Sequence, residues 1–182
     1  MSSFTNSFKQ SSLIFDKYFK DKLIALLGGD IEIVESITTN DMADKLDKLA
    51  GIDLWYYDEH GIYGIASRIQ FGRCYETFTI RKERESGVKT EYEKRKYAIE
   101  NDLLYPKLTF QGYFDLNNNI VEGFAIAKTK DIIWMIDNNY CRQKQTRPNQ
   151  KGQASFYIVS WHDMLNKKLD IYIYKRAKKK QA

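Results

Sequence analysis

The chain changes its hydrophobic period several times, and the changes divide it into elements. Leu13, Ile14, Tyr18, Phe19, Leu23, Ile24 and Leu27 recur about every 3.6 residues. That spacing predicts an amphipathic helix capped at Ser11 or Ser12 and stopped by Gly28-Gly29. Residues 30–37 are short and β-branched and read as strand or helix. A second helix is expected to begin within 38–40 and run to Ala50, with Met42, Leu46 and Leu49 on one face. From Gly51 the period drops toward two. Residues 52–57 and 62–71 read as strands around the turn Asp58-Glu59-His60-Gly61, and 77–82 (TFTIRK) as the third strand of a meander. A helix over 90–104 follows, closed by Pro106. Strands at 107–115 and 120–127 flank Asn117-Asn118-Asn119. Thr129 is expected to cap a short helix over 130–136. After a polar loop containing Pro148 come a strand at 155–160, a helical turn at 161–165 and a last strand at 169–174. This order predicts one α/β (α+β) domain with a central mixed sheet flanked by helices. The domain is expected over 12–174, between a flexible N-terminus (1–11) and a basic tail (175–182).

The composition suits such a domain: 182 residues, of which 43% are hydrophobic, 14% aromatic and 29% charged. No apolar run approaches the ~20 residues that span a bilayer, and the polar N-terminus lacks a signal-peptide core. The expected location is therefore cytoplasmic, away from membranes. Cys74 and Cys141 are far apart in sequence and fit no CxxC spacing, so free thiols are expected. With only His60 and His162, neither a His/Cys zinc site nor a histidine-activated nucleophile has much to draw on. No glycine-rich phosphate loop is present.

The net charge of +5 is unevenly placed. Residues 141–152 (CRQKQTRPNQKG) carry Arg142, Lys144 and Arg147 among four basic residues and no acid. The tail is basic throughout, and Lys94, Arg95 and Lys96 stand in a row. Three such clusters, with Arg73 near the hairpin, point toward phosphate contacts and a nucleic-acid partner.

The hairpin GIDLWYYDEHGIYGIASRIQ places Asp53 near the start of one strand and Arg68 and Gln70 two residues apart on the next. Metal-dependent phosphodiester cleavage needs carboxylates held together on adjacent strands with a polar or cationic group beside them. In this pattern the stretch from Asp41 to Lys96 resembles the PD-(D/E)XK nuclease superfamily, and the string ASRIQ…TFTIR…SG..TE..K is similar to that of small phage and mobile-element proteins. The resemblance implies a restriction-endonuclease-like fold, DNA as the nucleic acid, Mg²⁺ or Mn²⁺ held by Asp53, and Gln70 in the place of the motif lysine. Arg68 stands where the motif has a carboxylate, and a guanidinium cannot ligate a metal. Glu35, Asp44, Asp47 and Glu91 are candidates for a migrated second acid, and Lys94 for an assisting cation.

Arg68 also lies in an otherwise apolar strand, where it needs an acidic partner. Asp53 is the expected one. With Arg81, Arg68 is alternatively a bidentate phosphate clamp. Thr90 and Glu93 have the spacing of a capping box. The interleaved aromatics, Trp55 to Tyr57 and Tyr75 among them, are expected mainly in the core, with base stacking as the alternative. Two functional readings follow. One is a nuclease in which Asp53, Gln70 and a migrated acid act with Arg68 or Arg81. The other is a non-catalytic module that keeps the fold, holds no metal, and binds nucleic acid or a protein of a host system.

Overall fold

The computed structural model describes residues 10–34, 50–84, 89–145 and 154–177. It is a mixed α/β single domain whose central six-stranded sheet is flanked by helices. An N-terminal helix begins by Gln10, passes through a π-helical turn, Phe15–Phe19, and continues as α1, Lys20–Leu27. The strands are β1 (Asp30–Ile33), β2 (Leu54–Asp58), β3 (Gly61–Phe71), β4 (Thr77–Arg84), β5 (Leu108–Asp115), β6 (Ile120–Lys128), β7 (Arg142–Gln145), β8 (Ala154–Ser160) and β9 (Ile171–Lys175). Between them lie α2 (Glu91–Glu100), α3 (Thr129–Asp137) and α4 (Trp161–Asn166).

The main sheet runs β1-β2-β3-β5-β6-β9 and is antiparallel except where β3 and β5 run parallel. A parallel pair cannot be joined by a tight turn, and the connection between β3 and β5 carries both β4 and α2. β4 is thus not the third strand of a meander, as its alternation had suggested. It pairs with β8 in a second sheet, β4-β8-β7. A period of two shows that a segment is a strand but not which strand will be its neighbour.

Alternation along β5 and β6 builds two cores. Phe110, Phe114, Phe124 and Ile126 face the N-terminal helix, where Phe15, Phe19 and Leu23 are buried against them. Phe19 meets Phe110 and Phe124 edge-on at 5.5 and 6.0 Å, an arrangement that suits ring quadrupoles. Tyr113, Ala125 and Ala127 face the other way, into a cluster with Phe78 and Ile80 of β4, Val159 of β8, Ile132 and Met135 of α3, and Trp161 and Met164 of α4. The second sheet and α3 are therefore one layer covering that face.

Local signals account for most element ends. Gly28, at φ 81, closes α1 in the left-handed conformation that glycine takes without a Cβ clash. The Thr90–Glu93 capping box opens α2 as its spacing predicts. That helix stops at Glu100, short of the expected residue 104 and well before Pro106; Asn101 caps it and Asp102 turns left-handed at φ 52. Thr129 is the first residue of α3 and not its cap. Its hydroxyl bonds that of Thr109 at 2.8 Å, tying the helix to β5. The helix expected at 38–50 falls largely outside the described residues.

Candidate functional site

On the face of the main sheet that carries the second layer, polar side chains replace the apolar core at one end. Asp53 is the residue before β2. Its N–H donates to the Ile65 carbonyl at 3.0 Å and its carbonyl accepts from the Val34 N–H at 3.1 Å, so backbone bonds hold it from both sides. Its Oδ2 accepts the Ser67 N–H at 2.6 Å. Arg68 and Gln70 share a face of β3, as period two requires. Arg68 lies beside Gln111 in the β3–β5 register.

Arg68 does not pair with Asp53. Its guanidinium reaches across to the second layer, where Nη1 donates to the Thr79 carbonyl at 3.0 Å and to Thr79 Oγ1 at 3.2 Å. Nη2 donates to Glu91 Oε2 at 2.8 Å. The reason is geometric: Asp53 Oδ2 is turned onto the Ser67 amide, while Glu91, the first residue of α2, is aimed at the strand. Glu91 also accepts the backbone N–H of Arg81 at 2.9 Å, and its Oε1 accepts from Arg95 Nη2 at 3.1 Å, one helical turn on. Thr79 Oγ1 donates to Gln111 Oε1 at 3.1 Å and lies 3.5 Å from Gln70 Nε2.

The charges follow from these contacts. Burial pushes the Glu91 carboxyl up, but Arg68, then Arg95, then the Arg81 amide more than offset it and hold the group down at about 2. Burial pulls the Arg95 guanidinium below its ordinary range, and Glu91, with a smaller contribution from Asp53, opposes it. Arg95 is only 3% exposed, so this member of the basic row sits inside the protein and not on a phosphate-binding surface. Arg68 and Arg81 converge, each with its guanidinium carbon 5.8 Å from the Phe156 ring centre.

Among the described residues, the carboxylates of this cluster are already engaged. One carboxylate is engaged by two guanidinium groups and a backbone amide, the other accepts a backbone amide, and the β3 position that would supply a further oxygen supplies a positive charge. Among the described residues, no three His, Cys, Asp or Glu side chains are grouped as a metal site.

The other expected residues scatter. Lys94 is half-buried on α2. Arg142 and Lys144 are exposed on β7. Glu35 and Arg147, like Asp44 and Asp47, lie outside the described residues. Arg73 and Arg142, distant in sequence, line one open cleft together with Cys74 and Cys141, whose thiols burial raises. Sequence reasoning missed Gln111 and Thr79. Gln111, 1% exposed in the apolar run of β5, carried a signal as a lone buried polar residue; Thr79, in an alternating strand, carried none. No family model, curated protein or solved structure matches the chain. Among the described residues, no helix is long and apolar enough to cross a membrane.

Proposed function

We propose that this protein is a nucleic-acid-binding module of the PD-(D/E)XK-like kind, working in the cytoplasm, in which a carboxylate–arginine cluster stands where such a fold would hold its metal. The observation that carries this reading is Glu91 clasped by Arg68 and Arg95, and the resemblance aligns Arg68 with the motif carboxylate. A cluster of that kind braces β3, β4 and α2 together, whereas a metal site needs the same oxygens open. The net charge of +5 and the exposed cations of β7 and the loop after β3 support an anionic polymer as partner, most simply DNA.

A labelled oligonucleotide incubated with the full chain and Mg²⁺ or Mn²⁺ tests the reading. It is expected to remain intact and to be bound with an affinity that falls roughly 10-fold or more between about 50 and 200 mM salt. Calorimetric titration of either metal is expected to give no saturable heat. A second reading, a metal-dependent phosphodiesterase, draws support from Asp53 and Glu91 both acting on Arg95. Cleavage that disappears in Asp53→Ala would establish that second reading in place of the first. Salt-insensitive capture of a single protein, with no oligonucleotide bound, would replace both with a protein-binding role.

A further inference from the structure

The cleft that collects Arg73 and Arg142 shares no lining residue with the polar cluster. Its walls are the loop between β3 and β4, the turn after α3, the start of β7, and α4, and its volume is about 730 Å³. That is within the usual ~300–1,000 Å³ of small-ligand sites. It is large enough for unpaired nucleotides and far too small for a duplex.

Two features of its lining match unpaired nucleic acid. The first is a pair of anchored aromatic rings, one of them open. Tyr75 packs edge-on against the buried Tyr113 at 6.2 Å yet is 65% exposed. Tyr140 rests against Trp134 at 5.6 Å and is 41% exposed. Tyr75 is held from behind and largely open, which is what a stacking platform requires, whereas the Tyr140 ring is covered by the Lys167 ammonium and holds that cation in the cleft. The second feature is cationic. Arg73, Arg142 and Lys167 all line the cleft, and Lys167 Nζ sits 3.6 Å from the centre of the Tyr140 ring. No ion pair among the described residues ties these three cations. Of the two acids in the lining, Glu76 is paired with Lys175, while Asp163 lies beside His162 on the α4 side. The lining therefore keeps an excess of positive charge next to its aromatic rings.

We infer that this cleft binds a single-stranded stretch of nucleic acid, with a base stacked on Tyr75 and phosphates met by Arg73, Arg142 and by Lys167, which rests on Tyr140. The inference deepens the nucleic-acid reading above and rests on it. Bases are reached through their faces, which every base shares, so binding at this cleft is tolerant of sequence. A duplex hides those faces and is excluded.

Fluorescence polarisation with a labelled oligothymidylate of about ten nucleotides, a length within the span of known single-strand sites, tests this against a duplex of the same length. The single strand is expected to bind more tightly. Tyr75→Ala and Arg142→Glu are each expected to weaken it by roughly 10-fold. Lys17→Glu, on the N-terminal helix that covers the other face of the main sheet, is expected to change it by less than about twofold. Thermal melts of the three variants show whether each is folded. Unchanged single-strand affinity in both cleft variants, or tighter binding of the duplex, overturns the inference while leaving nucleic-acid binding in place. Failure of either oligonucleotide to bind even at low salt removes the nucleic-acid reading itself, and the cleft's role with it.

Discussion

Glu91 is about a quarter exposed, and Arg95 beside it is almost wholly buried. A buried guanidinium without a counter-charge is costly, so removing the carboxylate exposes the cost of the cations and not merely the loss of one contact. Glu91→Gln is expected to destabilise the fold by about 3 kcal/mol, measured by urea denaturation near neutral pH. The same residue makes stability depend on pH. Its carboxyl falls from an ordinary 4.5 to about 2 on folding, so its contribution is fully present above the ordinary value and is lost as pH falls toward about 2. Melts recorded across that window are expected to show a steeper loss for the native chain than for Glu91→Gln. A parallel decline in both would mean that other carboxylates dominate the acid limb. At this scale the sequence was partly readable. Arg68 in an apolar strand announces an acidic partner, but the partner is Glu91, a residue the sequence offers as a second metal-binding acid, and not the expected Asp53, whose Oδ2 accepts the Ser67 amide. A backbone donor leaves no mark on residue identity.

Elements were more legible than their assembly. The hairpin of β2 and β3, the strands β5, β6, β8 and β9, and the capping box of α2 all follow from periodicity and turn residues. The π-helical turn within the N-terminal helix did not, because the four-residue spacing of Phe15, Phe19 and Leu23 suits an α-helix as well. Nor did the desertion of β4 to a second sheet. How the N-terminal helix meets the sheet depends on a close approach at Gly112 of β5, where a Cβ would lie 2.9 Å from the Phe19 ring. Phe19 is fully buried among Phe15, Phe110 and Phe124 and has little room to yield. Gly112→Ala is expected to cost about 2 kcal/mol through this overpacking, read as a lower denaturation midpoint. Pairing it with Phe19→Leu should recover part of that loss if the clash is its cause, and a double variant no better than the sum of the two would show that the strain lies elsewhere.

Across the whole molecule the two layers depend on each other unequally. The six-stranded sheet has its own apolar face and its own helix, while the three-stranded sheet is held by the polar cluster at one side and by the Tyr113–Trp161 core in its middle. Binding at the cleft on that layer would therefore draw on the less independent half of the protein. The strand pairing also has a consequence in time. Thr77 of β4 finds its partner at Ser160 of β8, so the strand is made long before the one it needs. During synthesis or refolding it waits with both edges open while β5 and β6, neighbours in sequence, close around their asparagine turn. Long-range pairing of this kind is slow, because much chain must be ordered before it is rewarded. Pulse-labelled hydrogen exchange is expected to find the amides of β5 and β6 protected first and those of β4 among the last. Until β8 arrives, the unpaired β4 is a sticky edge, and the yield of native protein should fall as the concentration of refolding chains rises.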